Sequence, residues 1–432
     1  MIIVLVGLLT RAAAAIIQML YGVNNVVLPG IQVFKDYYIY YVPQLHYLSE
    51  GYVLYKDIPY LYMPGFLYSL LPFYTLLGAH GPAIVMVVTD ALSAGLIYRI
   101  VRTQIAGGGG DGSNAGNSSV NGGGSSSSNS GSNNGDNNRS AEILGAAAGL
   151  SYALFPLAIV SEGYLWFSTE PMLFLMLASL YLAQTKKTGL AFVVLAVAVG
   201  MKQEAVFMLP GLLLMARGDI KHALMGLAAG AGILFAMVLP FLITVPRDFI
   251  SSVTVDGIKF PSYAPSQLDP SNPWGIYNTT APSSLGTIQC HQVSYWFYQG
   301  AVCGTVSPLQ LFINRIYLVI GQALVAAYPM VLVLSLGAVV FMGVRRGPPS
   351  AWPQAVMGVS FLALLALVVN QSWGYAVIPA YALLLTTVTS KRSLAVAGVV
   401  LGVEILTPVY PIQIIILSIG FVLTTVMLQA TE

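Results

Sequence analysis

Apolar residues run along this chain in long uninterrupted stretches, not in steps of two, and polar residues are gathered into the gaps between them. A stretch of about 20 apolar residues is the length a helix needs to cross a bilayer. In hydrocarbon every backbone polar group must be satisfied internally, which leaves helices or closed barrels, and runs without alternation select helices. The pattern predicts spans at Ile2–Tyr21, Pro82–Val101, Ile143–Val160, Met172–Ala183, Leu190–Met201, Ala205–Met215, Ala223–Val245, Ile316–Val344, Ala355–Val369, Tyr375–Val388, Leu394–Leu406 and Ile412–Leu428. The fold class expected is therefore all-α and polytopic, with about 12 transmembrane helices.

Composition reinforces this. Of 432 residues 56% are hydrophobic and 8% are charged. Soluble domains carry roughly 25% charged residues, so a water-facing surface cannot be assembled from this chain. The net charge of +2 says nothing about nucleic acid, but no basic cluster beyond short pairs is present and no nucleic-acid partner is expected. The first run has Arg11 at its centre and no basic start, so it reads as a retained span and not as a cleaved signal.

Charge also orients the spans, because basic residues gather in cytoplasmic loops. With the N-terminus inside and one crossing per span, the pairs Arg99/Arg102, Lys186/Lys187, Arg217/Lys221, Arg345/Arg346 and Lys391/Arg392 all fall on the inner face. That agreement requires Met63–Leu77, which opens on Pro64-Gly65, to lie along the outer interface without crossing. Residues 1–245 then form an N-terminal transmembrane module, with 22–81 as its first outer loop and 104–141 as a flexible cytoplasmic loop; 246–315 form a large outer loop and 316–432 the C-terminal helices. The Gly/Ser/Asn tract Gly107–Ser140 has too little apolar content to fold alone. Cys290 and Cys303 share the second outer loop, where oxidation is permitted; a Cys290–Cys303 disulfide is favoured over two unpaired thiols. By the charge count the tract's acceptor-like triplets, Asn117-Ser118-Ser119 and Asn138-Arg139-Ser140, lie inside, whereas Asn278-Thr279-Thr280 lies outside and could accept a glycan.

Charged groups in or near a membrane are costly, which makes them candidates for function. The first outer loop is the densest region: Phe34-Lys35-Asp36-Tyr37-Tyr38, then Glu50-Gly51-Tyr52-Val53-Leu54-Tyr55-Lys56-Asp57, then Tyr60-Leu61-Tyr62-Met63-Pro64-Gly65. Its aromatics could stack on a sugar ring or simply form an interfacial belt. Arg11 and Asp90 are placed to pair between the first two spans.

This loop resembles the first extracytoplasmic loop of the GT-C superfamily of membrane glycosyltransferases, which includes protein O-mannosyltransferases, aminoarabinose transferases and dolichyl-phosphate-mannose enzymes. The matching residues are Asp36, Gly51, Tyr55, Asp57, Pro64-Gly65 and Leu77-Gly78, and further along Glu170 and Lys202. The chain departs from the family in having Asp90 where an Arg is usual early in the next span. The resemblance covers about the first half of the chain. It implies a glycosyltransferase that moves a hexose, mannose or glucose, from a polyprenyl- or dolichyl-phosphate carrier to a hydroxyl on a glycan, lipid or protein acceptor at the outer face of the cell membrane, with inversion. In that reading Asp36 is the general base and Glu170 a second catalytic acid. Lys202 meets the departing phosphate, Asp57, Tyr55 and Arg11 contact substrate, and Asp36 and Glu170 would hold a divalent Mg or Mn ion if one is used. Plainer readings stand beside these. Asp36 could cap a helix or pair with Lys35, Asp57 could finish a turn, Glu170 could favour a helix N-terminus, and Lys202 could pair with Glu204. A lipid flippase or secondary transporter is the competing class.

Overall fold

The computed structural model describes residues 1–21, 37, 41–58, 60, 62–108, 133–160, 166, 169–253, 279–283, 286–295, 298–303, 330–344, 351–368, 377–406 and 410–429. Asp36 and Asn278 lie outside the described residues.

The described chain is a helical bundle. In order it contains α1 (Ile2–Tyr21), α2 (Val42–Ser49), α3 (Gly65–Leu77), α4 (Gly81–Gly108), α5 (Asn133–Ala153), the single turn α6 (Pro156–Ala158), α7 (Glu170–Gln184), α8 (Thr188–Met201), α9 (Leu209–Met215), α10 (Ile220–Thr244) and α11 (Pro246–Val253). After a small sheet come α12 (Met330–Val344), α13 (Trp352–Val368), α14 (Ile378–Thr386), α15 (Lys391–Leu406) and α16 (Tyr410–Gln429). Proline opens α2, α7, α9 and α14 within the first two positions, where its fixed φ suits a helix and its missing N–H costs nothing.

The all-α class expected from the sequence holds for the bundle. The apolar stretch Gly65–Ala106 and helix Ile220–Thr244 have the length and hydropathy for a crossing, and α1, α7, α8 and α12 are shorter apolar helices. One region departs from helix. Strands β1 (Thr279–Ser283), β2 (Gly286–Tyr295) and β3 (Tyr298–Cys303) form an antiparallel sheet in the order β1-β2-β3, inside the segment expected to be an outer loop.

Packing has two centres. The larger core joins α4, α5, α7 and α8 to α13, α14 and α16 through residues such as Leu144, Met176, Leu180, Met357, Leu384 and Phe421. Amide groups bind its layers together: Gln184 Nε2 and Gln354 Nε2 donate to Gln104 Oε1 at 3.4 and 3.2 Å, linking α7 and α13 to α4. The smaller core lies at one end of the bundle. It collects Tyr37, Tyr41, Leu45, Leu54, Tyr55, Tyr60, Phe66, Trp166, Phe241 and Phe249 from α2, α3, α10, α11 and the connecting loop. Burial of such aromatics contributes about 1.5–3 kcal/mol apiece, which is what holds an otherwise polar loop in place.

The start of α3 is the joint between this smaller core and the bundle. A side chain at Gly65 would place its Cβ 2.5 Å from the Gly200 carbonyl oxygen and 2.9 Å from Met237 Sδ, so only glycine lets α3 meet α8 and α10 so closely. The helix runs 13 residues, about 20 Å, which is less than the hydrocarbon thickness of about 30 Å. It stops at Gly78, whose φ of +62° turns the chain into α4.

Candidate functional site

The loop motif Gly51-x-x-x-Tyr55-x-Asp57 folds into a closed turn. The Asp57 carboxylate accepts from the Val53 N–H at 2.9 Å, the Asp57 N–H returns to the Val53 carbonyl at 2.9 Å, and the Tyr55 N–H donates to the Ile58 carbonyl at 2.9 Å. Gly51 has φ +93° and Tyr55 has φ +69°. A left-handed conformation costs a tyrosine on the order of 1–2 kcal/mol. Tyr55 is held there by its surroundings: its ring meets Phe241 and Phe249 edge-on at 5.1 and 5.0 Å, and its hydroxyl donates to the Tyr62 carbonyl at 2.7 Å. Burial pushes the Tyr55 phenol well above its ordinary range, with Tyr68 adding to the effect. Tyr60 is raised likewise by burial, then by Tyr55, Tyr62 and Glu204. Asp57 itself is exposed. The turn-finishing role for Asp57 is what the geometry displays, and Tyr55 serves as an anchor in the aromatic core.

Two further aromatics fasten this end. The Tyr37 hydroxyl donates to the Ala79 carbonyl and accepts from the Ala83 N–H at 3.2 Å, and its ring meets Trp166 edge-on at 4.9 Å. Both rings are fully buried. Sequence reasoning misses Trp166 and Tyr152. A buried aromatic with a polar tip has no motif of its own, and only its neighbours reveal its role.

Lys202 ends α8 and is nearly buried. Its Nζ lies 3.7 Å from Glu204 Oε1 and 5.1 Å from the centre of the Tyr62 ring, so it is balanced by a carboxylate and by an aromatic face. The pairing with Glu204 offered by the sequence is formed.

Deeper in the bundle, Arg11, Asp90, Tyr152 and Glu170 converge from α1, α4, α5 and α7, each fully buried. Arg11 donates from Nε to Asp90 Oδ2, and its terminal nitrogens donate to the Ala153 carbonyl, to the Tyr152 carbonyl at 3.2 Å and to Thr10 Oγ1 at 3.0 Å. Tyr152 donates to the other Asp90 oxygen at 2.7 Å, and Glu170 Oε2 lies 3.4 Å from the same hydroxyl. The pair expected between Arg11 and Asp90 is present. It also accounts for the departure at Asp90: the guanidinium enters from α1 and the carboxylate from α4. Glu170 sits in the first turn of α7, where the helix dipole favours an acid. Among the described residues no three His, Cys, Asp or Glu side chains come together as a metal-binding group.

The sequence-predicted residues therefore occupy separate places. Arg11, Asp90 and Glu170 share the interior network, Lys202 stands with Glu204 and Tyr62, and Tyr55 and Asp57 build the loop. Backbone register sets Cys290 directly opposite Cys303 on β2 and β3.

These features are those of an α-helical bundle in which two described stretches are long and apolar enough to cross a membrane. A family profile described as GPI transamidase subunit PIG-U matches residues 42–267, just over half of the chain. The chain belongs to the PIG-U family, a family of multi-pass membrane proteins related to the GT-C fold. No curated protein gave a significant match.

Membership corrects three expectations. The family is that of a transamidase subunit, so the hexose transfer from a polyprenyl-phosphate carrier, the glycosyltransferase class and the donor and acceptor partners are overturned. The roles given to Asp36 as base and to Lys202 as partner of a departing phosphate rested on that reaction and lapse with it. The physical reason is that a fold and its loop architecture can be kept while the chemistry changes, because function lies in the site and not the scaffold. The location holds at the level of a membrane protein; a cell-membrane site with an active centre on the outer face is not supported.

Proposed function

We propose that this chain is the PIG-U subunit of a GPI transamidase complex in the endoplasmic reticulum membrane, crossing the bilayer about a dozen times. The observation that carries this is the family match over residues 42–267, which takes in the Gly51–Asp57 turn, the buried acids Asp90 and Glu170, and Lys202. A GPI transamidase attaches a GPI anchor to a protein. In this reading the chain acts as a membrane-embedded holder within that complex, and its loop end faces the lumen. Arg11, Asp90, Tyr152 and Glu170 fix α1, α4, α5 and α7 relative to one another. Lys202, paired with Glu204 and set over the Tyr62 ring, fastens the end of α8 to the loop.

The test is removal of the chain from cells carrying a GPI-anchored reporter. Surface display of the reporter falls and its uncleaved precursor accumulates, and wild-type chain restores both. Normal anchoring after complete loss of the chain would refute the assignment.

We further propose a Cys290–Cys303 disulfide. Directly opposed residues of an antiparallel pair have Cα atoms about 4.5–5.5 Å apart, within the range a disulfide spans. Cys303→Ser should remove a crosslink worth about 3 kcal/mol to the hairpin. Thiol labelling of unreduced protein should find no reactive cysteine in wild type and one in the variant.

A further inference from the structure

Helices α14, α15 and α16 pack on one another, and the contact is tight: a Cβ at Gly420 of α16 would lie 2.9 Å from Val400 of α15 and 3.3 Å from Leu384 of α14. Each carries a buried polar residue near the same end. Tyr381 is in the first turns of α14, Glu404 is in the last turn of α15, and Gln413 is in the first turns of α16. Their exposures are 0, 2 and 1%. Among the described residues the Tyr381 hydroxyl, both Glu404 oxygens and both Gln413 amide atoms make no hydrogen bond. Tyr381 is within electrostatic reach of Glu404, and its ring packs on Phe155 at 4.4 Å, just beyond the Arg11 network.

An unpartnered carboxylate inside a bundle is costly, and so is each unpaired amide or hydroxyl beside it. The local sequence offers no counter-charge. From Gly347 onward the only Lys and Arg residues are Lys391 and Arg392, at the opposite end of α15 and about 20 Å away along its axis. Among the described residues no cation pairs with Glu404.

We infer that Glu404, Gln413 and Tyr381 form a binding site inside the bundle for the primary ammonium group of a lipid headgroup. A primary ammonium has three N–H donors, and the trio offers three acceptors: a Glu404 oxygen, Gln413 Oε1 and the Tyr381 hydroxyl oxygen. The carboxylate neutralises the charge, and the Tyr381 ring adds an aromatic face.

A lysine from a neighbouring helix fits less well. The open face of α15 carries Gly398 and Gly402, where a Cβ would meet no described atom within 4 Å, and a partner helix would pack there. Glu404 lies two residues beyond Gly402, about 200° further round the helix, and is buried on the other side. The inference draws on the C-terminal helices alone, so it stands or falls separately from the transamidase assignment.

The experiment uses the purified full-length chain in nanodiscs of phosphatidylethanolamine and phosphatidylcholine in equal parts, with retained lipid read by native mass spectrometry after gentle delipidation. The two headgroups share a phosphate and differ in their N–H donors. Wild type should retain the ethanolamine lipid in excess, and Glu404→Gln should cut that excess about tenfold, as expected for loss of a charge-assisted hydrogen bond. Tyr381→Phe should reduce it by a smaller factor. Unfolding of each variant is followed in parallel, so that loss of selectivity is read only from folded protein. If Glu404→Gln proves unstable, wild-type selectivity for the ethanolamine lipid over its N-methylated forms decides the same question. Equal retention of the two lipids by wild type, or an excess that survives in folded Glu404→Gln, would overturn the site.

Discussion

The Arg11–Asp90–Tyr152–Glu170 group and the Glu404–Tyr381–Gln413 group are both buried, both built on helices of the bundle and both centred on carboxylates. They differ in how their polar atoms are satisfied. In the first, the Asp90 oxygens are taken by Arg11 and by Tyr152, and Arg11 spends its remaining donors on two backbone carbonyls and Thr10. In the second, the acid, the amide and the phenol make no hydrogen bond among the described residues. The closed Arg11–Asp90–Tyr152 part of the first group specifies helix positions, whereas an open group is a place to receive something. The lesson is that a charged residue inside a membrane protein is a pointer to function only once its partners have been counted.

The contrast can be broken by substitution. The largest effect is expected at the closed network. Asp90→Ala leaves the Arg11 guanidinium buried and unpaired, and should lower stability in detergent by about 3–5 kcal/mol. The double variant Arg11→Met with Asp90→Leu should recover most of that loss, because no orphaned charge remains. Thermal unfolding of the three proteins checks both statements. A double variant as unstable as the single one would mean that packing, and not charge, governs the site.

At the open group the sign reverses. Glu404→Leu removes a carboxylate that makes no hydrogen bond among the described residues, so the lipid-free chain should gain about 1–3 kcal/mol. A loss of similar size would show that Glu404 is already engaged in the free protein, and the contrast between the two groups would disappear.

A smaller effect separates the aromatic loop from both groups. Burial raises the Tyr55 and Tyr60 phenols, so their protonated forms are the ones the fold favours. Their contribution is complete below the ordinary phenol pKa of about 10 and is lost as pH rises through the higher folded values. An alkaline titration followed by tyrosinate absorbance should show exposed tyrosines ionising first, with the Tyr55 and Tyr60 fraction appearing together with loss of structure. Simple titration of all tyrosines near pH 10 without unfolding would contradict the packing described for this loop.

Much of the fold is legible in the sequence because its signals are strong ones. Long apolar runs point to the helical membrane class, Pro64-Gly65 marks the start of a short helix that packs closely on its neighbours, and Arg11 has the partner that a lone charge in a span demands. The sheet at Thr279–Cys303 is not legible: its strands are rich in polar residues and lack a clean alternation. The site is legible only in part. Gly51, Tyr55 and Asp57 stand out as a motif, but their geometry shows why they would persist without sugar transfer. Two left-handed residues and a carboxylate closing a turn are needed to fold the loop, whatever the loop then does. Tyr152 and Trp166, which tie the network and the loop together, carry no spacing signal at all.

The most direct test of the central claim is to isolate the tagged chain from native membranes in a mild detergent and assay the same preparation for two reactions. The account predicts that the chain migrates in a large complex with transamidase activity, measured as cleavage of a GPI-anchoring signal with transfer of the new carboxyl end to an added amine nucleophile. A chain that runs alone, lacks that activity and consumes a polyprenyl-phosphate sugar would contradict it.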